Sequence, residues 1–375
     1  MSTQFDTVLP VAELLIIKRD FDLLKKIATQ LQPEVQLQLT PYTALFCYEA
    51  YEYLKKHGQP VEIEQTSRYS IKDIRQKAKF FDLRLNKLFQ SIKNIDTLQN
   101  DYFISLMGYP ELAHWNVHDN LGIVYDDQMN IVSNSHYSFY VFQDEKSISK
   151  PPHAMSGHNL IGEEVRAFAY DMGRIIGSIS SALSCISDFV VADVDPRNIK
   201  LFSQDFNTNR CTINEQDEYK VIRLFLLHVL SSIGFVLFVL KKAIIRESGL
   251  LLRFEYITYH YALLRLEGLL NYFSTNRGKL RDDTKLHEML NSIDYKNGNG
   301  LRKTEFRNCM MHFGLTDSNG CPLINEAKID LAVPFCGLVE SQFNMTYSDY
   351  KSNIEAQLLF LYKALKDYLG FSLSR

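Results

Sequence analysis

LFLLHVLSSIGFVLFVL, residues 224–240, runs for 17 residues without a formal charge. Whether it faces lipid or protein decides the fold. A span of that length sits at the lower limit for crossing a bilayer. It also carries His228, two serines and Gly234. Helices that are apolar all round occur at the centre of bundles too, and the polar interruptions favour that setting. The stretch therefore predicts a buried central helix, reaching from about 219 to 246, in a mainly α protein.

Its neighbours support a bundle. Helices are expected over 249–274 and 283–293. The terminal YSDYKSNIEAQLLFLYKALKDYLGF places Ile354, Leu358, Leu361, Leu365 and Tyr368 on one side. The first third also reads as helices: PVAELLIIKRDFDLLKKIATQL, then TPYTALFCYEAYEYLKKHG, which Gly58 and Pro60 terminate. In SIKDIRQKAKFFDLRLNKLFQSIKNI, apolar residues recur at alternating steps of three and four, predicting one continuous amphipathic helix. Its polar face is basic, and Lys72, Arg75 and Lys79 are the candidate contacts to an RNA backbone. Between 121 and 142, β-branched and aromatic residues flank DDQMN and predict a small β-hairpin. A helix is expected from about Gly162 to Ser187. The polar, turn-rich 195–217 is the natural boundary between a helical N-terminal region, 1–217, and a helical bundle, 218–375.

Composition sets outer limits. Of 375 residues, 46% are hydrophobic and 23% charged, enough for a real core, and the net charge of -3 singles out no polyanionic partner. Six cysteines at 47, 185, 211, 309, 321 and 336 form no C-x-x-C pair, which suits a reducing compartment rather than a disulfide framework or cysteine zinc site. The N-terminus lacks a basic n-region, so a cytoplasmic protein without a signal peptide or membrane span is expected.

Several arrangements touch on metal chemistry. DYKNGNGLRKTE, residues 294–305, has the terminal acids of a calcium loop, but Lys296 and Asn299 stand where a ligand and a turn glycine are needed. His114 and His118 are four apart, with no third ligand set by spacing; His136, His153 and His158 have nothing that makes them converge. Gly177-Ser178 followed by Asp193 and Asp195 is similar to the magnesium site of minimal nucleotidyltransferases, with too long a gap. No metal and no cofactor are expected.

Arginine followed by histidine after four to six residues occurs four times: Arg223–His228, Arg253–His260, Arg281–His287 and Arg307–His312. Only Arg281 and Arg307 have a polar residue next, and Arg281 opens a capped helix start. In EFRNCMMHFGL, residues 305–315, Asn308 and His312 are i, i+4 and are expected on one helix face with Arg307 at its rim. Thr304 is the expected cap, and Arg302 and Lys303 would add positive charge where free backbone N–H groups attract an anion.

Arg307-Asn308-Cys309-Met310-Met311-His312 resembles the signature of the HEPN superfamily (higher eukaryotes and prokaryotes nucleotide-binding), over roughly residues 219–375. That resemblance implies an all-α bundle acting as a metal-independent endoribonuclease at a homodimer's composite site, typically a bacterial toxin or antiphage effector governed by an antitoxin or regulatory protein. Arg307, Asn308 and His312 would be its catalytic residues. The chemistry agrees: attack by a 2′-hydroxyl needs one proton removed, one delivered and a charged phosphorane stabilised. One motif histidine per chain supplies one transfer, so two copies would supply both. A non-catalytic HEPN-like binding or scaffold module and a membrane-acting abortive-infection protein are the alternatives.

Overall fold

The computed structural model describes residues 8–59, 61–63, 68–78, 84–107, 120–142, 157–186, 193–208, 217–246, 249–276, 283–295, 300–324 and 329–374. The N-terminal region supplies α1 (Val8–Gln30), α2 (Pro33–Lys56), α3 (Ile71–Gln76), α4 (Leu85–Met107), β1 (Leu121–Asp126), β2 (Ile131–Asn134), α5 (Ser135–Phe142), α6 (Gly157–Ala182) and β3 (Leu201–Phe206). Beyond it lie α7 (Asp217–Gly234), α8 (Leu250–Thr275), α9 (Thr284–Asn291), α10 (Thr304–Met311), α11 (Phe335–Phe343) and α12 (Tyr347–Leu369). The protein is mainly helical with one small antiparallel sheet.

The charge-free stretch is the core. The helical segment Tyr219–Ala243 is apolar enough to cross a membrane, yet 89% of its most apolar window is buried inside the protein. It packs on β2, α4, α8 and α12, so its sides are taken by protein. The membrane-acting alternative needs that surface open to lipid. At Gly234 the helix changes to a π turn, Phe235–Leu240, and a Cβ there would stand 1.9 Å from the Ile131 carbonyl oxygen. Glycine lets the β2 backbone lie directly on the helix. Tyr362 fixes the same spot: its hydroxyl accepts from the Ile131 N–H at 2.6 Å. The second long core helix, α8, is buried over every residue from Leu250 to Leu263. It carries Arg253, Glu255, His260 and Arg265 inside.

Both halves of the chain share one hydrophobic cluster. Tyr42 of α2 bonds Thr258 of α8 at 2.6 Å, and Glu13 of α1 accepts from the Leu315 N–H at 2.6 Å. On α12, Ile354, Leu358, Leu361 and Leu365 are buried as their spacing predicts.

Three stretches of the N-terminal region differ from expectation. The hairpin exists, with β1 antiparallel to β2, but SHYSFYVF continues as α5 instead of a strand. The reason is Asn134, whose Oδ1 accepts from the Tyr137 N–H at 2.7 Å and caps the helix. Within the supposed polar boundary, Leu201–Phe206 forms β3, giving strand order β2-β1-β3. Its half-exposed polar residues suit an edge strand and leave no alternating signal. The basic amphipathic helix is not continuous: α3 ends at Gln76 and α4 begins at Leu85. Lys77 is buried, its ammonium 5.8 Å from the Tyr69 ring, so it is no part of a solvated basic face. Lys79 lies outside the described residues.

Two buried imidazoles give the core a pH limit. His136 Nδ1 and His228 Nε2 are 2.8 Å apart and fully enclosed. Burial pushes His136 down to about 4 from 6.5 and His228 well below its ordinary value. Above pH 6.5 the rings are neutral folded or unfolded; below it the unfolded chain takes up protons that the folded one refuses. Stability should therefore fall as pH drops from 6.5 towards 4, by on the order of 3 kcal/mol through His136 alone, read as a decline in Tm between pH 7 and pH 4.5. Gly234→Ala should destabilise by about 2 kcal/mol or more through overpacking, measured by urea denaturation.

Candidate functional site

Helix α10 is held by its inner face. Phe306 meets the Tyr256 and Phe343 rings edge-on at 4.9 Å each, and Cys309, Met310 and Met311 are buried with it. Arg307 and Asn308 stay half-buried on the outer face. They engage each other: Arg307 donates through Nη2 at 2.6 Å and Nε at 3.2 Å to Asn308 Oδ1.

His312 ends this helix. It occupies the C-cap in extended conformation, so it does not share a helix face with Asn308. Its ring turns instead to α2, where Nδ1 lies 2.6 Å from Glu49 Oε2. His312 is half-exposed, at 50%, while Glu49 is 13% exposed. The other carboxylate oxygen of Glu49 is 3.9 Å from Arg75 Nε of α3, and that guanidinium lies over the Tyr48 ring. Tyr261 of α8 stands among these groups and donates to Met311 Sδ at 3.3 Å. Burial raises its phenol above the usual range, and the charges of Arg307 and Arg75 oppose that rise while Glu49 adds to it. Glu49 thus links His312 at the end of α10 to Arg75 of α3.

The expected anion cradle at the start of α10 is not built. Lys303 is the N-cap and no side chain caps the helix, so Thr304 lies inside it. The Lys303 ammonium is taken by the Gln342 carbonyl and the Phe343 ring. Arg302 donates to the Tyr295 carbonyl at 3.1 Å and to His260 Nδ1 at 3.3 Å. Eight residues also separate this end from His312, ~12 Å along a helix axis. Lys72 is exposed on α3.

The second arginine–histidine pair sits beneath the fourth. Arg253, fully buried, bonds Asp20 of α1 and donates through Nε to the Met310 carbonyl at 2.8 Å and through Nη2 to the His312 carbonyl at 3.4 Å. Its guanidinium is sandwiched between the Phe46 and Phe313 rings at 4.3 and 4.2 Å. It satisfies the open carbonyls at the end of α10 and fixes the backbone that presents His312. Burial raises Asp20 to about 6 despite the opposing pull of Arg253. His260 is pushed down to about 3 by burial and then by Arg302 and Arg307, which makes it a neutral hydrogen-bonding group and no proton carrier. Spacing alone could not reveal either role, because the partners come from α1, α2 and the loop before α10.

The remaining candidates disperse. Asp193 is held by Lys26 at 3.2 Å and Asp195 by its neighbour Arg197 at 2.7 Å, each in its own ion pair, while Gly177 and Ser178 are inside α6. His136 meets His228. The imidazoles of His114, His118, His153 and His158, and residues 296–299 of the calcium-like loop, lie outside the described residues. Among the described residues no three His, Cys, Asp or Glu side chains gather as metal ligands. Comparisons with protein-family models, curated proteins and solved structures return no match.

Arg253→Met would leave the Asp20 carboxyl and two carbonyls buried without their donor. It should cost about 3–5 kcal/mol of stability, measured by chemical denaturation, and Arg253→Met with Asp20→Leu should recover part of that loss.

Proposed function

We propose that the protein is a metal-independent endoribonuclease of the HEPN kind, acting as a homodimer on RNA in bacterial toxin or antiphage defence, with an antitoxin or regulatory protein as its natural control. One observation supports this reading above the others. A solvent-accessible imidazole, His312, is braced by the Glu49 carboxylate, whose other oxygen pairs with Arg75, and it ends the short helix that carries Arg307 and Asn308.

His312 takes the proton of the attacking 2′-hydroxyl. The 2′-oxygen bonds to phosphorus, and the phosphorane's extra charge is stabilised by Arg307, which Asn308 holds in place. The departing 5′-oxygen receives the Nε2 proton of the second copy's His312, which enters the step as the imidazolium and leaves it neutral, giving a 2′,3′-cyclic phosphate and a 5′-hydroxyl. Glu49 and Arg75 come from the N-terminal region, so residues 1–217 contribute to the site itself. Lys72 extends the cationic edge along α3 for the RNA backbone.

Purified protein should cleave tRNA or total RNA in the presence of EDTA. His312→Ala and Arg307→Ala should each lose about 10²–10⁴-fold in rate with unchanged circular dichroism. Cleavage that persists in both variants, or that never occurs with intact dimer, defeats the reading.

A further inference from the structure

We infer that Glu49 is the positioning residue for His312: it holds the imidazole as the Nδ1–H tautomer, so that the Nε2 lone pair is the one offered to substrate. The geometry is specific. Carboxylate Oε2 lies 2.6 Å from Nδ1, a distance at which the ring nitrogen donates and the carboxylate accepts. A carboxylate has no proton to give, so a neutral ring facing it must carry its hydrogen on Nδ1. Glu49 is itself restrained, mostly enclosed at 13% exposure and paired through Oε1 with Arg75 at 3.9 Å. On the other side, Arg253 fixes the His312 carbonyl, and Phe313 is clamped by that guanidinium and packed on Phe21 and Phe46. Backbone and ring are therefore both anchored. The His312 side chain is half-exposed, and Nδ1 is the nitrogen already engaged by Glu49.

The consequence is directional. When Nε2 accepts a proton the ring becomes a cation, and its Nδ1–H remains bonded to a carboxylate, which stabilises the charged form as it appears. A carboxylate behind an imidazole plays this part in hydrolytic triads by fixing tautomer and orientation without taking the proton. Naming the 2′-hydroxyl of RNA as the proton source rests on the cleavage reading above; the tautomer does not.

Long-range ¹H–¹⁵N correlation spectra of ¹⁵N-histidine-labelled protein separate the two issues, with His312 assigned by its disappearance in His312→Gln. At a pH where the ring is neutral, wild type should show the Nδ1–H pattern. Glu49→Ala should revert to the Nε2–H form favoured by free imidazole. Circular dichroism and a cooperative thermal transition show that Glu49→Ala is folded. An Nε2–H or averaged ring in wild type, or an unchanged Nδ1–H ring in folded Glu49→Ala, overturns the inference whether or not RNA is cut. Where cleavage is measured, Glu49→Ala should lower kcat by at least tenfold with little change in KM, and its pH profile should shift. A loss confined to KM would place Glu49 in RNA binding and overturn its positioning role.

Discussion

One buried charge pair organises the region around the candidate site. Arg253 on the core helix α8 reaches Asp20 on α1, two carbonyls at the end of α10, and the faces of two phenylalanines. Removing a guanidinium from water is costly, and the cost is tolerable only when every donor has a partner and the flat faces are packed. That requirement makes the pair a constraint on three helices at once. If α1 shifts, Asp20 moves away; if α10 frays, its carbonyls do. The His312 backbone is therefore set by the core rather than by the surface loop in which it sits.

From that fixed point the site assembles across the chain. Helix α10 brings Arg307, Asn308 and His312, α2 brings Glu49, α3 brings Arg75, and α8 brings Tyr261 between them. The local signature Arg-Asn-x-x-x-His supplies the candidate groups, but their arrangement is tertiary. Arg307 turns to Asn308 and His312 turns to Glu49, so the two ends of the signature are oriented by different neighbours. The net effect is one carboxylate shared between the imidazole of α10 and the guanidinium of α3.

Much of the helical frame was legible. Periodicity located the long helices because each buries one face, and the apolar run betrayed its central place through the histidine, serines and glycine that a lipid-facing span has little use for. The failures have local physical causes. SHYSFYVF has strand composition, but Asn134 caps a helix there and tertiary burial accepts either form. Strand β3 is polar because it is an edge, and α11 was absent from the expected elements because its short PFCGLVESQF carries Pro334 and Gly337. In the candidate site, the motif drew attention to Arg307 and His312, but its expected shared face for Asn308 and His312 is lost because His312 is an extended C-cap. Arg253 and His260 were set aside because an apolar residue follows the arginine, and Glu49 escaped notice because nothing in a linear pattern says that a glutamate 263 residues away will meet a histidine.

That separation has a biosynthetic side. Translation proceeds from the N-terminus at roughly 5–20 residues per second, so Glu49 leaves the ribosome well before His312 is even polymerised. During that interval α2 and α3 exist without α10, and no nascent chain shorter than 312 residues holds both members of the dyad. A damaging activity seated at this seam would stay silent on the ribosome that produces it, becoming competent only once the final helices have docked.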